Sequence, residues 1–320
     1  MSVKFIEYPQ EITIQSYEEL KVKLVNKLLL EDAVLSVYQM GSVKEPGISD
    51  LDLICVFRNE STCNLNVRVD LSNHEKNILT HGVFGIEERF LFKSMSYNLL
   101  SNLKLLGGED FSLEEVKKET SEELKTQIAL EYMLKMYITL EAQKTLKVVK
   151  LRSFLLLAKA ILFDLELIGI QEGKLYDLVQ QVFKYRAVWY DKTPSEKEIK
   201  VLVLNFHLAI EDILKKMFEE RSFYLPYEKI DLLGNFKIEK SLCFETKRKG
   251  TILPSSFKFL GKKFINLQYR LNTFTFYIPF NLPEKETEIY DRFEFNKNLV
   301  GIGRERFPYF IPITSSLSIY

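Results

Sequence analysis

The sequence has little cysteine and no cysteine pattern that indicates a cofactor. Cys55, Cys63 and Cys243 are its three cysteines in 320 residues, and no two of them form a CxxC pair. A structural zinc site needs closely spaced thiol or imidazole ligands, so this set excludes a zinc ribbon. We expect reduced thiols that pack as small apolar side chains, as in a cytoplasmic protein.

The chain also lacks an excess of charge of either sign. It contains 44 Lys and Arg and 44 Asp and Glu, so its formal net charge is zero. A protein that coats nucleic acid has a basic surplus, and a disordered chain combines high net charge with low hydrophobicity. The zero net charge counts against a general nucleic-acid coat, and together with the 46% of hydrophobic residues it excludes a disordered chain. A local basic patch is still compatible with these totals.

Long uninterrupted apolar runs are missing as well. The most apolar stretch, residues 154–170, contains Lys159, Asp164 and Glu166, which are too many charges for a membrane span. The first ten residues carry no apolar segment typical of a signal peptide. We therefore expect a cytoplasmic protein without a membrane partner.

The residues that are present divide the chain into three zones. Residues 1–111 mix helix-like and strand-like patterns, residues 112–222 are helical throughout, and residues 223–320 hold 13 Phe and 7 Tyr. This order predicts an α+β protein. Its parts would be a small mixed-sheet catalytic domain, a helical-bundle domain and an aromatic C-terminal region that is β or irregular.

Periodicity and capping residues predict the individual elements. In the first zone we expect a helix over 17–30 capped by Ser16, a second helix over 72–79, and strands over 33–40, 51–57, 64–71 and 83–92. In the second zone we expect helices over 112–149, 152–169, 173–190 and 194–220, the first of them opened by a capping box of Ser112 and Glu115. In the third zone, residues 257–259 and 273–280 alternate like strands, and residues 301–318 are predicted to be irregular.

One segment carries a pattern with chemical meaning. An apolar run ends at Met40, Gly41-Ser42 follows, and a loop leads to Asp50-Leu51-Asp52 at the start of a second apolar run. Glycine lets the backbone approach a phosphate closely, and Ser42 adds a hydroxyl and an amide donor. Asp50 and Asp52 are two residues apart on a strand, so their side chains point to the same face.

Two carboxylates on one face repel each other unless a cation lies between them. Oxygen ligands of this kind suit Mg²⁺ or Mn²⁺. A simple turn at Asp50 would also account for a Ser-Asp pair. That alternative leaves Asp52 as an unpartnered acid within an apolar strand, which is costly. The pattern therefore favours a metal site beside a phosphate cradle.

The segment resembles the signature of the DNA polymerase beta-like nucleotidyltransferase superfamily, and the three-zone layout is similar to that of the kanamycin nucleotidyltransferases. The resemblance implies that Gly41 and Ser42 hold the phosphates of a nucleoside triphosphate and that Asp50 and Asp52 bind the metal. It covers some twenty residues. The spacer of seven residues between Ser42 and Asp50 is shorter than in most members, which is expected to remove the small helix that usually follows Gly-Ser.

The resemblance also implies a third carboxylate from a neighbouring strand. Glu87 fits the strand spacing, and Asp70, which has apolar neighbours, is the other candidate. Without a third acid, the site would bind a nucleotide without turning it over.

Several weaker signals have two interpretations each. Lys44 is placed to reach the γ-phosphate or is a solvated loop residue, and His81 is a base, a nucleotide contact or a packed histidine. The row of Lys144, Lys147, Lys150 and Arg152 would attract an anion, but such rows are more often solvated. The aromatic run 274–280 would stack bases, although its alternation favours core packing.

The expected function is therefore Mg²⁺-dependent transfer of a nucleoside monophosphate from a triphosphate, with ATP as the expected donor. The acceptor would be a hydroxyl or phosphate of a small molecule, and pyrophosphate would be released. A toxin-like enzyme acting on tRNA or protein is the first alternative, with nucleic acid not favoured as the acceptor. A catalytically inactive nucleotide-binding or scaffold protein is the second.

Overall fold

The computed structural model describes residues 3–113, 120–314 and 317, apart from the side chains of Ser255 and Lys258. The elements of the first part of the chain are β1 (Lys4–Ile6), α1 (Ile14–Leu28), β2 (Val34–Met40), β3 (Asp52–Phe57), α2 (Asn73–Ile78), β4 (Phe84–Glu87), α3 (Glu88–Tyr97) and β5 (Leu103–Gly108). Next come α4 (Glu122–Thr145), β6 (Val148–Lys150), α5 (Leu151–Leu167), α6 (Lys174–Ala187) and α7 (Glu196–Glu220).

The last part of the chain contains both strands and helices. Its elements are β7 (Lys229–Leu232), β8 (Phe236–Lys240), β9 (Glu245–Gly250), a short 3₁₀ helix (Ser255–Leu260), α8 (Lys262–Leu271), β10 (Asn272–Ile278), α9 (Glu288–Arg306) and β11 (Ile311–Pro312). The predicted α+β class is confirmed, with mixed parallel and antiparallel sheets.

The structure divides the chain into two compact units rather than three zones. The first, which we call the sheet unit, contains described residues 10–113, 120–121 and 291–314. The second, the helical unit, contains described residues 3–9, 122–290 and 317. The predicted aromatic region is therefore split. Its first part folds with the helices, and its last part completes the sheet unit.

The sheet unit is built on a five-stranded sheet with the order β11-β4-β3-β2-β5. Strand β2 is antiparallel to both β3 and β5, whereas β3 and β4 are parallel. One face packs on α1 through Tyr17, Leu20 and Leu24. The other face packs on α3 and on α9, which contributes Phe295 and Leu299. The sheet is thus the middle layer of three.

Several predicted elements of the sheet unit need correction. Helix α1 starts before the predicted Ser16 cap, because the Thr13 side chain already accepts a hydrogen bond from the Ser16 amide and caps the helix. Residues 64–71 form turns instead of a strand, since the Asn66 side chain accepts from the Arg68 amide and bends the chain. The predicted strand 83–92 ends at Glu87, where α3 begins.

The helical unit packs α4 against α5 and α7. Helices α5, α6 and α7 confirm the predicted helices 152–169, 173–190 and 194–220 to within about three residues at each end. Helix α4 is buried on all sides, from Leu124 to Gln143. The Ser112–Glu115 capping box lies partly outside the described residues. This unit also contains the pair β1-β6 and the four-stranded sheet β7-β8-β10-β9. The predicted strand 273–280 is confirmed as β10, and its Phe274 and Phe276 are core residues.

Three further expectations differ from the structure. Residues 257–259 lie in the 3₁₀ helix and not in a strand. The predicted irregular segment 301–318 continues α9 to Arg306 and then forms β11, which pairs with β4. Cys55 and Cys63 are buried thiols as expected, whereas Cys243 is exposed.

A polar cluster joins α4 to α7 inside the helical unit. The His207 imidazole, which is almost fully buried, lies 2.7 Å from the Glu141 carboxylate through Nε2, and Lys144 contacts the same carboxylate oxygen. The Tyr137 ring stacks on His207. Although burial alone would raise the pKa of Glu141, the hydrogen bonds from His207 and Lys144 lower it to about 2.

We expect this cluster to make stability depend on pH. Because the pKa of Glu141 is lower in the folded chain than its ordinary value of 4.5, its stabilisation is complete above that value and is lost as the pH falls towards about 2. After allowance for solvent screening, the contribution is about 2 kcal/mol. Thermal unfolding of Glu141→Gln across this range should show a smaller loss of stability on acidification than the unchanged chain. Glu219→Gln, on the exposed side of α7, is the control and should keep the original dependence.

Candidate metal centre

Strand directions gather the residues of the sequence motif at one edge of the sheet. Strand β2 ends where its antiparallel neighbour β3 begins, with Met40 opposite Asp52. Gly41-Ser42, just after β2, therefore lies beside Asp50 and Asp52 at the start of β3. Strand β4 runs parallel to β3, with Phe84 level with Ile54. The residues that precede β4 consequently approach the same edge.

His81 reaches the aspartate pair from this approach to β4. Its Nε2 lies 2.7 Å from the Asp52 Oδ1 and 3.7 Å from the Asp50 Oδ2. One ligand atom from each of the three side chains falls within 4.8 Å of the others. Among the described residues, this is the one group of three or more His, Cys, Asp and Glu with that spacing. The structure thus brings together the two predicted metal ligands and a histidine.

Hydrogen bonds orient each of the three side chains. The Thr80 hydroxyl donates to the Asp50 carboxylate at 3.0 Å. The His81 Nδ1 lies 2.7 Å from the Gly82 carbonyl oxygen, to which it donates, so that Nε2 faces the aspartates. The Leu51 amide donates to the Ile78 carbonyl and fixes the start of β3 against the end of α2.

The electrostatics of the group are those of crowded negative charge. Burial of Asp50, reinforced by Asp52 beside it, raises the pKa of this carboxyl. Burial alone would lower the pKa of His81, but its hydrogen bond to Asp52 and the two nearby carboxylates raise it. His81 therefore keeps its proton to a higher pH than an ordinary histidine, and when protonated it places a positive charge beside the aspartates. A bound cation would provide the same charge at the same place.

The loop between Ser42 and Asp50 is held in place by hydrogen bonds to the Tyr17 hydroxyl of α1. The buried Tyr17 hydroxyl accepts a hydrogen bond from the Gly47 amide at 2.9 Å and donates to the Ser49 carbonyl at 2.6 Å. The Ile48 and Ser49 amides both donate to the Glu45 carbonyl, which makes a turn. No helix occurs in this described loop, as its short length predicted.

Gly41 and Ser42 differ in what they can offer a phosphate. The Gly41 amide donates to the Asn102 carbonyl at 3.0 Å and is therefore already engaged. Gly41 has a φ of +69°, and no heavy atom lies within 4 Å of the place where its Cβ would be. What Gly41 contributes is therefore a left-handed backbone turn with open space beside it. Ser42 and Lys44 are exposed on the same loop.

The structure does not bring Glu87 to the aspartate pair. In the β3-β4 register Glu87 lies level with Phe57, at the opposite end of β3 from Asp52. Its fully buried carboxylate forms ion pairs with Arg89 at 2.7 Å and Arg306 at 2.8 Å. These two ion pairs account for the acid at the end of an apolar strand, so no catalytic role is needed to explain it.

Asp70 is separate from the site as well. Its side chain is 64% exposed and pairs with Lys27 at 2.6 Å. On β5, the other neighbouring strand, Leu103 and Leu105 pack on the sheet face to which the aspartates point. Among the described residues, the third member of the group with Asp50 and Asp52 is His81. The sequence places His81 directly before a predicted strand, but it does not show that this strand pairs with β3 or in which direction.

The donor set of two carboxylates and one imidazole fits a divalent cation. Carboxylates suit Mg²⁺ and Mn²⁺ alike, whereas an imidazole nitrogen favours a transition metal. Asp50, Asp52 and His81 would therefore hold Mn²⁺ at least as well as Mg²⁺.

Comparisons of the chain with protein-family models, with curated proteins and with solved structures each returned no match. The resemblance to nucleotidyltransferases therefore depends on the sequence motif alone.

If Glu87 has only a structural role, Glu87→Gln should lower stability and leave cation binding intact. Removing one partner of a buried ion pair costs about 3 kcal/mol, which urea denaturation would detect. Manganese binding, measured by calorimetry, should be unchanged. The neighbouring Glu88, which accepts a hydrogen bond from Asn59, provides the control Glu88→Gln and should change neither quantity. Loss of cation binding in a folded Glu87→Gln protein would contradict this and indicate that Glu87 takes part in cation binding.

Proposed function

We propose that the chain is a metal-dependent nucleotidyltransferase that moves a nucleoside monophosphate from a triphosphate to an acceptor hydroxyl or phosphate. The observation that carries the proposal is the convergence of Asp50, Asp52 and His81 at the sheet edge where Gly41-Ser42 also lies. A phosphate-accessible turn beside a hard-metal site is the arrangement that phosphoryl chemistry needs.

Each residue has a defined part in this proposal. Asp50 and Asp52 would hold the cation, and the Thr80 hydroxyl, which donates to the Asp50 carboxylate, keeps that side chain in place. When bound, the cation would neutralise charge on the triphosphate. The Ser42 hydroxyl and amide are the phosphate donors, since the Gly41 amide is engaged, and Lys44 supplies a further positive charge from the same loop.

In this proposal His81 has the role that the resemblance assigns to a third carboxylate. With Nδ1 donating to Gly82, its Nε2 is the ring atom that can accept a proton or ligate a metal. In transfer, a His81 whose Nε2 is deprotonated and not bound to the cation would accept the proton of the acceptor hydroxyl. A small-molecule acceptor remains our preference, because Lys44 is the one basic residue in the loop 41–49 beside the aspartate pair, whereas a tRNA acceptor needs a row of cations at the site.

A second candidate function is nucleotide binding without transfer. It is favoured by one observation: no third carboxylate lies beside Asp50 and Asp52 among the residues that the structure describes. A scaffold or sensor of this kind would retain metal-dependent nucleotide binding and release no pyrophosphate.

Calorimetric titration of ATP, CTP, GTP and UTP with Mg²⁺ or Mn²⁺ tests the site itself. We expect metal-dependent binding of at least one nucleotide, weakened at least about 100-fold in Asp52→Ala because a direct ligand is lost. Asp70→Ala removes an exposed acid of the same unit and is the matched control that should bind as the unchanged chain does. Equal binding by Asp52→Ala and Asp70→Ala would contradict the proposed site.

Replacement of His81 separates the two candidate functions. If His81 accepts the proton, His81→Asn should reduce pyrophosphate release by about 100-fold or more while nucleotide binding falls much less. The assay needs the bound nucleotide identified above and a panel of hydroxyl and phosphate acceptors. Thr80→Val, which removes only the bond to Asp50, is the control for disturbed geometry. Tight nucleotide binding without pyrophosphate from any acceptor would favour the binding-only function.

A further inference from the structure

The helical unit carries a basic and apolar surface that the proposed function does not use. From Thr246 to Pro283 the chain has no Asp or Glu, yet it has seven Lys and Arg. This segment contains β9, the 3₁₀ helix, α8 and β10. A chain with zero net charge thus concentrates positive charge in one region.

Helix α8 divides its residues between a core face and an outer face. Phe264 and Ile265 are buried against Ile6 and Val148 of the β1-β6 pair. The outer face presents Lys263, Leu267, Arg270 and Leu271, which the helical period places together. All four are exposed, with Leu267 at 39% and Leu271 at 42%.

The segment next to α8 in the chain carries further exposed apolar side chains. In the 3₁₀ helix that leads into α8, Phe259 is 78% exposed and Phe257 is 43% exposed. The turn between β7 and β8 is tied to the end of α8, because the Asn235 amide donates to the Tyr269 and Arg270 carbonyls. We call Phe257, Phe259, Lys263, Leu267, Arg270 and Leu271 the α8 face.

Cations also crowd the N-terminal side of α8. Lys262 lies 3.6 Å and Lys150 3.9 Å from the same Glu7 oxygen. Burial, together with Lys262, lowers the pKa of Lys150 although Glu7 opposes the change. One of the lysines in the basic row at 144–152 therefore joins the positive region of α8. An anionic partner would relieve this repulsion.

We propose that the α8 face docks the protein on an anionic lipid surface, with Phe257, Phe259, Leu267 and Leu271 inserted among the lipids and Lys263 and Arg270 at the headgroups. Exposed apolar side chains bordered by cations are the features that bind a helix in the membrane interface. The proposal does not rest on nucleotidyl transfer. It departs from the sequence-based expectation of no membrane partner. None of the described helices is both long and apolar enough to cross a bilayer.

Two other occupants fit the α8 face less well. Single-stranded nucleic acid would stack on the exposed Phe257 and Phe259 rings, but the rings of the adjacent sheet, Phe274 and Phe276, are 0% and 1% exposed and cannot extend that stacking. The exposed aliphatic side chains, Leu267 and Leu271, would also add nothing to stacking. A second copy of the chain, related by two-fold symmetry, would bring the same cations against each other.

Vesicle sedimentation of the full chain tests the proposal. The protein should sediment with vesicles of equal parts phosphatidylcholine and phosphatidylglycerol, should not sediment with phosphatidylcholine alone, and should be released by high salt. We expect Phe257→Ser with Phe259→Ser, and separately Lys263→Glu with Arg270→Glu, to weaken partition by about tenfold or more. The salt and lipid dependence is measured on the unchanged chain. It therefore tests the proposal even if one of the double variants fails to fold.

Two variants in the sheet unit are the matched controls. Leu30→Ser removes a leucine that is 83% exposed, and Lys297→Glu reverses an exposed lysine. Both should partition as the unchanged chain does. The proposal is overturned by absence of sedimentation, by equal binding to neutral vesicles, or by a loss in the controls as large as in the α8 variants. Binding of a single-stranded oligonucleotide but not vesicles, or a dimer in light scattering that Phe259→Ser dissociates, would assign the face to another occupant and overturn it as well.

Discussion

The register of three strands, β2, β3 and β4, determines what this molecule can do at its sheet edge. An antiparallel neighbour brings the end of β2 to the start of β3, and a parallel neighbour brings the approach to β4 to the same level. The exposed Gly41-Ser42 turn, two carboxylates and an imidazole meet there as a consequence. If β4 were antiparallel to β3, Glu87 and not His81 would lie at this edge. The direction of one strand therefore decides whether the third group is an acid or a histidine.

Two acids at the start of a buried strand are unfavourable unless something compensates their charge. The fold uses His81 and Thr80 for this purpose, and both precede β4. The compensation is weaker than an arginine would give, because a histidine can lose its proton and leave the two aspartates to a cation. Glu87 shows the contrasting solution. Two arginines hold that acid permanently, so it stabilises the sheet and is unavailable for chemistry.

Local patterns predicted much of this structure, and long-range pairing explains what they missed. Strand β3, helices α5 to α7 and strand β10 follow from periodicity and caps, and the Asp50-Asp52 pair follows from the two-residue period of a strand. The place of His81 could not be predicted in this way, because it depends on which strand pairs with β3 and in which direction. The same limit applies to residues 301–314. Their contribution to the sheet unit depends on contacts with β4, over 200 residues away in sequence.

Net charge is a poor guide to partners when charge is distributed unevenly along the chain. Equal numbers of acidic and basic residues exclude a uniformly basic surface, but they do not prevent an acid-free segment of 38 residues from Thr246 to Pro283. In the helical unit, the acids that balance these cations are concentrated in other elements, such as Glu141 in α4, where they stabilise helix packing. Opposite charges at separate places do not cancel beyond roughly 10 Å at moderate ionic strength. A polyanion or an anionic lipid surface would therefore encounter the local charge of the α8 face and not the chain's total of zero.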